Sequence, residues 1–457
     1  MISTQQKRVP WSWVIMIAMP AMVLQILEAV SQGALSFTIR KFTNDALTIT
    51  CIGSSAMLFN FVISPYIAWK SDRIWTRLGR RRPFLILGLI GAAVGLFFIP
   101  LAPTLLALIL PVMFFSFFFE IAFYGTYDPL INEVVPVPQR GRHGAIKALF
   151  HNFGTLYYSI FLIGNFDFFF AGTPFKGEHI IYWVAAVLCL MMVLHFTFNF
   201  RETYVAPPAT KQRFTPWGFA RDLFGEHQWR MVYLLVFIQI SLQAGLANLG
   251  PLMVTEQFGL SKQVMGMISV PMNISKIFIS LPLAGFLADR VDRMKMLLFG
   301  VIGSTLYPIA YWLFVHLIAH GHPTYWQIVF FEIYNGFVDV MANIALAALF
   351  FDFIPRQRMG TIFAGMTFAR GFMRLFASVG VGVWVKYYSR LFSKPGINDY
   401  SSGLLFLFLF GVIGIVLTLY VYRERAKGKI IEYGRLETEA APEPVEEGMP
   451  AVSSAKL

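Results

Sequence analysis

Long uncharged apolar runs dominate this chain of 457 residues. The run from Pro83 to Phe119 holds 37 residues without a charge, and the run from Tyr400 to Tyr422 holds 23. Because a membrane-spanning helix needs about 20 apolar residues, the longer run predicts two crossings that turn near Pro100 and Pro103. Only 14% of the residues are charged, against about 25% in soluble proteins. A water-soluble enzyme is therefore excluded.

The pattern of apolar segments predicts an all-α membrane protein with twelve crossings. Six are expected near residues 11 to 37, 46 to 69, 83 to 101, 104 to 130, 145 to 170 and 180 to 200. Six more are expected near residues 229 to 253, 263 to 288, 296 to 318, 325 to 350, 361 to 386 and 402 to 422. The predicted divisions are an N-terminal bundle over 1–200, a linker over 201–228, a C-terminal bundle over 229–423 and a disordered tail over 424–457.

The distribution of Lys and Arg predicts the orientation of the chain. If both termini are cytoplasmic, the connecting segments on that side hold 26 of these residues and the opposite side holds 7. This asymmetry follows the positive-inside rule, so we expect a multi-pass protein of the plasma membrane with both termini in the cytoplasm. The net charge of +12 then needs no nucleic-acid partner to explain it.

Two charged loop motifs of the first half recur in the second half at a nearly constant offset. Asp72-Arg73 corresponds to Asp289-Arg290 after 217 residues, and Gln139-Arg140 corresponds to Gln357-Arg358 after 218. Either pair alone could recur by chance. Together they predict two six-helix bundles related by a pseudo-twofold axis along the membrane normal.

These loops resemble those of the major facilitator superfamily, whose pattern Gly-x-x-x-Asp-Arg is followed by Gly-Arg-Arg. Here Ala68 stands in place of the first Gly, and Gly285 keeps it in the second half. The first loop, from Ser71-Asp72-Arg73 to Gly79-Arg80-Arg81-Arg82-Pro83-Phe84, is similar to that of sucrose and related glycoside transporters of the glycoside-pentoside-hexuronide type. Ser64 stands where those proteins usually have Gln, and Glu133 where Asp is more usual.

The resemblance implies the major facilitator fold and a cation symporter that works by alternating access. A carboxylate beside guanidinium groups at a helix end can form contacts in one conformation that break in the other. We therefore predict a conformational gate made of the following loop residues: Asp72, Arg73, Arg80, Arg81, Glu133, Arg140, Asp289, Arg290 and Arg358. The alternative for the arginines is that they only anchor the topology.

Six ionisable residues fall in the middle portions of the predicted crossings: Glu28, Glu120, Lys276, Asp339, Arg370 and Arg374. Charges in the bilayer core are costly, so these should face protein or a wet cavity. By resemblance, the first, fourth, seventh and tenth helices line the cavity. Glu28, Glu120 and Asp339 are the predicted carriers of the coupling ion, a proton or alternatively sodium, and the repeat should place Glu120 roughly opposite Asp339. The alternative is a static ion pair, such as Asp339 with Arg370 or Arg374.

Polar side chains at the same level of the predicted crossings suggest a substrate site. Amides donate and accept hydrogen bonds, which suits sugar hydroxyls, and aromatic faces suit the apolar side of a sugar ring. The predicted substrate residues are Gln239, Gln243, Tyr334, Asn335, Arg370 and Arg374. The two arginines, four residues apart, could instead bind an organic anion.

The function predicted from these features is proton-coupled symport of a small polar solute, such as a sugar or glycoside, by a monomer that needs no cofactor or metal ion. The alternatives are an exporter of amphipathic compounds, a carrier of an organic anion and a non-transporting sensor. An intramembrane enzyme has no support, because the sequence contains no His-Glu-x-x-His, no Gly-x-Ser-x-Gly and no phosphate-binding Gly-rich loop.

Overall fold

The computed structural model describes residues 10–71, 73–127, 130–131, 134–135, 139–200, 202, 225–243, 246, 248–288, 290–354, 359–393 and 398–433. Within these ranges the chain is helical and has no β-strand beyond two isolated bridges. Nine of the described helices are long and apolar enough to cross a membrane.

The first half contributes six helical regions. They are α1 (Trp11–Arg40), α2 (Ala46–Gly53 and Ser55–Ser71), α3 (Arg82–Leu101), α4 (Leu105–Tyr127), α5 (Arg140–Tyr157, continued by Tyr158–Leu162 and Ile163–Asn165) and α6 (Gly177–Phe198). The second half contributes α7 (His227–Gln243), α8 (Lys262–Ala288), α9 (Arg293–Ile318), α10 (Tyr325–Phe353), α11 (Met359–Phe392) and α12 (Tyr400–Ala426). A short helical stretch over Gly250–Leu252 and Met253–Gln257 precedes α8.

Three predicted crossings coincide with helices that are outside the nine. The helix α2 is interrupted at Ser54, α5 begins with a basic segment, and the described part of α7 is 17 residues long. The other nine predicted crossings coincide with the long apolar helices, although the predicted ends differ by several residues.

Local side-chain caps explain where several helices begin. Thr104 accepts a hydrogen bond from the backbone N–H of Ala107 at the start of α4, and Ser261 accepts one from Val264 at the start of α8. Asp292 accepts from the N–H groups of two residues in the first turn of α9. Such oxygens satisfy backbone donors that have no partner within the helix.

A close contact between small residues occurs at equivalent places in the two halves. A Cβ atom added to Gly88 of α3 would lie 2.7 Å from the backbone nitrogen of Ala122 of α4. A Cβ atom added to Gly300 of α9 would lie 2.7 Å from the backbone nitrogen of Ala342 of α10. Small residues let membrane helices approach closely, and here they join the same helix pair in each half.

The twelve helices place the connections alternately on two faces of the molecule. We call the face that carries residues 10 and 433 the termini face. The opposite face is called the far face. It carries the connections over 41–45, 102–104, 166–176, 258–261 and 319–324, together with residues 393, 398 and 399.

The hydrophobic core joins the two halves toward the far face. One cluster of buried residues covers the first half and also includes residues near the far-face ends of the second half, such as Phe258, Val385 and Tyr400. A second cluster contains only residues of the second half, such as Trp229, Leu297 and Leu349. The two halves therefore share one hydrophobic core toward the far face. The rest of the second half has a core of its own.

Candidate functional site

The fourth helix carries a buried carboxyl group within the first half. Glu120 is only 2% exposed. One of its oxygens accepts hydrogen bonds from the side-chain amide of Asn60 at 2.6 Å and from the hydroxyl of Ser64 at 3.3 Å, both on α2. These two partners are neutral, so the carboxyl is held in place by groups that do not cancel its charge.

A second acid of the first half meets a base from the second half. Tyr124, one turn after Glu120, donates a hydrogen bond to Glu28 of α1. The guanidinium of Arg374, from α11, interacts electrostatically with Tyr124, Glu28 and Glu120. The two halves therefore meet at a charged group that is built from α1, α4 and α11. We call Glu28, Asn60, Ser64, Glu120, Tyr124 and Arg374 the inter-half cluster.

A chain of hydrogen bonds crosses the second half nearby. The amide of Asn343 donates to Asp339 at 2.8 Å, both on α10, and Gln239 of α7 donates to the Asn343 side chain. Arg370 of α11 donates to Gln239 at 3.3 Å. The ammonium of Lys276, from α8, lies 3.6 Å from a carboxylate oxygen of Asp339.

The structure thus brings most of the ionisable side chains of the predicted crossings into two separate groups. Glu28, Glu120 and Arg374 belong to the inter-half cluster, whereas Asp339 and Arg370 belong to the polar chain of the second half. The alternative of a static pair of Asp339 with Arg370 or Arg374 stays a prediction, and the described contacts of Arg374 are with the first half. Asn60, Ser64 and Asn343 lie outside the predicted site, since a neutral side chain in an apolar run gives little sign of its partners.

Three predicted substrate residues are not part of the two polar groups described above. Tyr334 is 37% exposed, and its hydroxyl donates to the backbone carbonyl of Gly303 on α9 at 3.3 Å. Asn335 follows it on α10 and is half-buried. The side chain of Gln243 lies outside the described part of the chain. Their role in substrate binding remains a prediction.

Four of the nine predicted gate residues lie outside the described residues. Asp72, Glu133, Asp289 and Arg358 belong to that part, and so does the side chain of Arg140. Of the others, Arg81 donates to Ser71 at 3.4 Å, within the first half, and Arg290 lies 4.0 Å from the ring centroid of Phe286, within the second half. Arg73 and Arg80 lie in the same loop as Arg81. The gating role of this set remains a prediction.

A carboxylate that the sequence analysis did not single out holds the first of these loops. Glu202, just after α6, accepts hydrogen bonds from the backbone N–H groups of Arg80 at 2.8 Å, Arg81 at 3.1 Å and Arg82 at 2.7 Å. The side chain of Arg82 also donates to the carbonyls of the last turn of α6. The carboxylate of Glu202 lies at the N-terminus of α3, where a negative charge is favoured. These hydrogen bonds fix the loop before α3 to the C-terminal end of α6.

Ion pairs between the two halves lie at the far face, where no gate was predicted. Each joins one residue of the first half to one of the second: Arg40 with Glu256 at 2.8 Å, Asp45 with Lys386 at 2.9 Å, and Asp167 with Lys262 at 2.7 Å. From the sequence, these basic residues indicate only the topology. Nothing in the sequence reveals such partners, which are more than 90 residues apart. We call these three ion pairs the far-face pairs.

Buried hydroxyl and amide groups extend the contact inward from the far face. Ser54 of α2 donates to Ser378 of α11 at 2.5 Å, and Asn248 donates to both serines. Ser159 of α5 and Ser269 of α8 lie 2.6 Å apart. At the termini face, ion pairs with both partners described stay within one half, as between Arg293 and Asp352.

These features together define a membrane carrier made of two joined halves. Residues 12–378 match the family model of the Major Facilitator Superfamily, and the chain belongs to this family. The protein is accordingly an all-α transporter of the membrane and not an enzyme.

Several solved transporters have a similar fold. A bacterial homolog to the human lysosomal transporter Spinster, in an inward-facing and occupied conformation, gives a TM-score of 0.66 at 13% identity over 90% of this chain and 97% of that one. A POT family transporter in complex with 5-aminolevulinic acid gives 0.70 at 13% over 91% and 96%. A D-xylose-proton symporter gives 0.66 at 14% over 90% and 97%. No curated protein sequence matches the chain.

Proposed function

We propose that the protein is a proton-coupled symporter of a small polar solute, a sugar or glycoside, and that it works by alternating access. We further propose that it lies in the plasma membrane as a monomer with the termini face in the cytoplasm. The observation that carries this proposal is the inter-half cluster. In it, Arg374 of the second half interacts electrostatically with Glu28 and Glu120 of the first. Any rocking of one half against the other must change that contact.

The far-face pairs support an inward-facing state. The two halves are joined by charged, polar and apolar contacts toward the far face, whereas each half has its own contacts toward the termini face. If the termini are cytoplasmic, these contacts close the space between the halves on the outer side of the membrane. Access to the inter-half cluster then remains from the cytoplasm. A similar fold was solved in an inward-facing conformation.

The inter-half cluster supports coupling to a proton. A carboxyl that is buried among neutral groups favours its protonated form, and a guanidinium close by favours the ionised form. Because Arg374 and Glu120 sit on different halves, rocking moves the guanidinium relative to the carboxyl. Glu120 can then take up a proton in one state and release it in the other, and Glu28 shares the same Arg374.

The polar chain of the second half supports a hydroxylated substrate. Gln239 hydrogen-bonds to Asn343 and to Arg370, and amide groups of this kind can exchange such bonds for those of a polyol. The loop resemblance to sucrose and glycoside transporters, and the fold likeness to a D-xylose-proton symporter, favour the same class. An organic anion is the second candidate, because Arg370 and Arg374 are two cationic groups four residues apart on α11.

The test is uptake of labelled solutes into proteoliposomes with an imposed pH gradient or an imposed sodium gradient. The panel contains monosaccharides, disaccharides, an organic anion and an amphipathic drug. We expect accumulation of a sugar that follows the pH gradient and collapses with a protonophore. Accumulation driven only by sodium, or of the anion or drug alone, would contradict the corresponding part of the proposal.

A further inference from the structure

A long apolar groove runs along one side of α11. Its volume is about 750 Å³, within the range of pockets that bind small molecules. Its lining residues belong to α11 between positions 372 and 392, and α12 contributes Phe406. At 1.5 Å per residue the groove is roughly 30 Å long, about the thickness of the hydrocarbon core of a bilayer. We call it the α11 groove.

The groove lies on the side of α11 that faces away from the first half. Arg374, Ser378 and Lys386 follow one another at intervals of four and eight residues, and all three contact the first half. Gly380 and Tyr387 line the groove and lie on the opposite face, since each residue turns the helix by about 100°. Packing of α11 against the first half thus leaves this side of the helix open to the membrane.

Aromatic rings form the walls of the groove toward the far face. The rings of Trp384 and Tyr388 are stacked with centroids 6.3 Å apart, and Phe406 lies 6.1 Å from Trp384. A Cβ atom added to Gly380 would lie 2.8 Å from Cζ of Phe406, so the glycine lets this ring reach the floor of the groove. Trp and Tyr are enriched where a membrane protein meets the lipid headgroups. This end of the groove therefore fits the membrane interface.

A cationic group stands at the same end. Arg390 is exposed, and its guanidinium lies 5.7 Å from the ring centroid of Tyr387, a lining residue. Its described contact is this ring rather than a carboxylate. The acid on this side is Asp399, which interacts electrostatically with Tyr388 and accepts a hydrogen bond from Gln257 at 2.8 Å. A guanidinium forms strong charge-assisted hydrogen bonds with a phosphate group, so the rim of the groove suits one.

We propose that the α11 groove binds one phospholipid of the far-face leaflet, with its phosphate at Arg390 and one acyl chain along the groove to Gly380. These residues are ten positions apart, about 15 Å along the helix axis. This distance is half of the hydrocarbon core, which is about 30 Å thick, and is therefore the depth of one leaflet. The apolar lining disfavours a polar solute, and the cation at the rim selects a phospholipid over a wholly apolar molecule. The proposal is independent of which solute the protein carries.

The first test is photolabelling of the purified full-length protein in phosphatidylcholine vesicles. A trace of the lipid carries a diazirine on one acyl chain, and mass spectrometry of peptides locates the labelled residues. The reference surface is α6, a membrane-spanning helix on which Leu190 is 47% and Leu194 58% exposed. A bound lipid should label the groove at least about threefold more than this surface, as a contact energy below 1 kcal/mol already gives. Equal labelling would mean bulk lipid and would overturn the proposal.

The second test removes the phosphate contact. In Arg390→Gln, labelling of the groove by the phosphatidylcholine probe should fall roughly threefold, the size expected for an exposed charged contact. Labelling by the corresponding diacylglycerol, which has no phosphate, should stay the same. The control is Lys176→Gln, a far-face lysine whose ammonium lies 4.8 Å from the ring centroid of Phe169, and it should change neither. Unchanged labelling by phosphatidylcholine in Arg390→Gln would overturn the proposal.

Two further measurements do not depend on that variant. In the wild-type protein, unlabelled phosphatidylglycerol should compete with the probe for the groove more strongly than unlabelled diacylglycerol, and equal competition would contradict the phosphate contact. Val383 lines the groove and is 37% exposed. Val383→Cys, made with Cys51→Ala and Cys189→Ala, should remain monomeric under oxidation. Disulfide-linked dimers with an unlabelled groove would show that a second copy of the chain covers it, and would overturn the proposal.

Discussion

Arg370 and Arg374 lie one turn apart on α11, yet they serve opposite halves of the molecule. Arg370 donates to Gln239 within the second half, whereas Arg374 meets Tyr124, Glu28 and Glu120 of the first. One helix thus connects the polar chain to the inter-half cluster. A movement of α11 relative to the first half must alter both groups together.

Substitution of the two arginines should therefore affect different properties of transport. Arg374→Gln leaves Glu28 and Glu120 without their base from the second half, so proton-driven accumulation should be lost. Arg370→Gln removes a charged hydrogen bond to Gln239, so KM for the substrate should rise roughly tenfold with a smaller change in the maximal rate. Initial rates over a range of substrate concentrations measure both. Identical behaviour of the two variants would contradict this division of roles.

Glu120→Gln should separate coupling from substrate exchange. The amide keeps the hydrogen bonds of Asn60 and Ser64 within reach but cannot carry a proton. Accumulation under a pH gradient should fall by at least about tenfold, the order seen when a positioned proton carrier is removed, while exchange of labelled for unlabelled solute persists. Glu178→Gln, a buried acid of α6 that bonds to Thr38, is the matched control and should still accumulate. Wild-type accumulation by Glu120→Gln would exclude it as the carrier.

Breaking two of the far-face pairs should expose the interior from outside. Thr50 is fully buried on α2, so Thr50→Cys in a Cys51→Ala background reports on opening through an impermeant thiol reagent. Adding Arg40→Gln and Lys386→Gln should raise the labelling rate roughly fivefold, because partly exposed ion pairs each contribute modestly.

The control for this measurement is Arg293→Gln, which breaks an ion pair at the termini face instead. It should leave the labelling of Thr50→Cys unchanged or lower it. An increase as large as that of the double variant would mean that the labelling reports general loosening rather than opening of the far face.

The Asp45–Lys386 pair should be insensitive to pH in the neutral range. Burial alone would raise the pKa of Asp45, but hydrogen bonds from Lys386 and Thr48 outweigh it and hold the pKa below its usual value. A carboxyl with a lowered pKa keeps its pairing energy above the ordinary Asp value of about 3.9 and loses it only as the pH falls through the lower value.

The contribution of this pair to closure, taken as the difference in labelling between the Lys386→Gln variant and its parent, should be constant from about pH 5 to 8. It should vanish only below about pH 4. Rates are normalised to unfolded protein at the same pH. A midpoint near pH 6 would show that another group controls the closure.

Gly382→Ala should introduce a steric clash between the two halves. A Cβ atom at this position of α11 would lie 2.0 Å from the hydroxyl oxygen of Thr50 and 3.1 Å from the carbonyl of Ala46, both on α2. Closure of the far face should weaken, and outside labelling near this contact should increase. Gly144→Ala is the control, because nothing lies within 4 Å of its added Cβ. Unchanged labelling in Gly382→Ala would place the moving contact elsewhere.

Much of the architecture could be predicted because each crossing is a local property. The long apolar runs predicted an all-α membrane protein, and the loop motifs around Asp72 and Asp289 predicted a duplication and the family. The match over residues 12–378 confirms the family. The site could be predicted only in part. A charge such as Glu120 or Arg374 is conspicuous in an apolar segment, but its partners lie on other helices.

The sequence by itself determined the membrane class, the family and the identity of the costly charged groups, since hydropathy and charge are read along the chain without knowing any distant contact. Only the tertiary structure decided which ions meet. It separated the contacts of Arg370 from those of Arg374, brought Lys276 to Asp339, and joined the halves through the far-face pairs. The physical reason is that an ion pair depends on the packing of helices from distant parts of the chain, which no local pattern records.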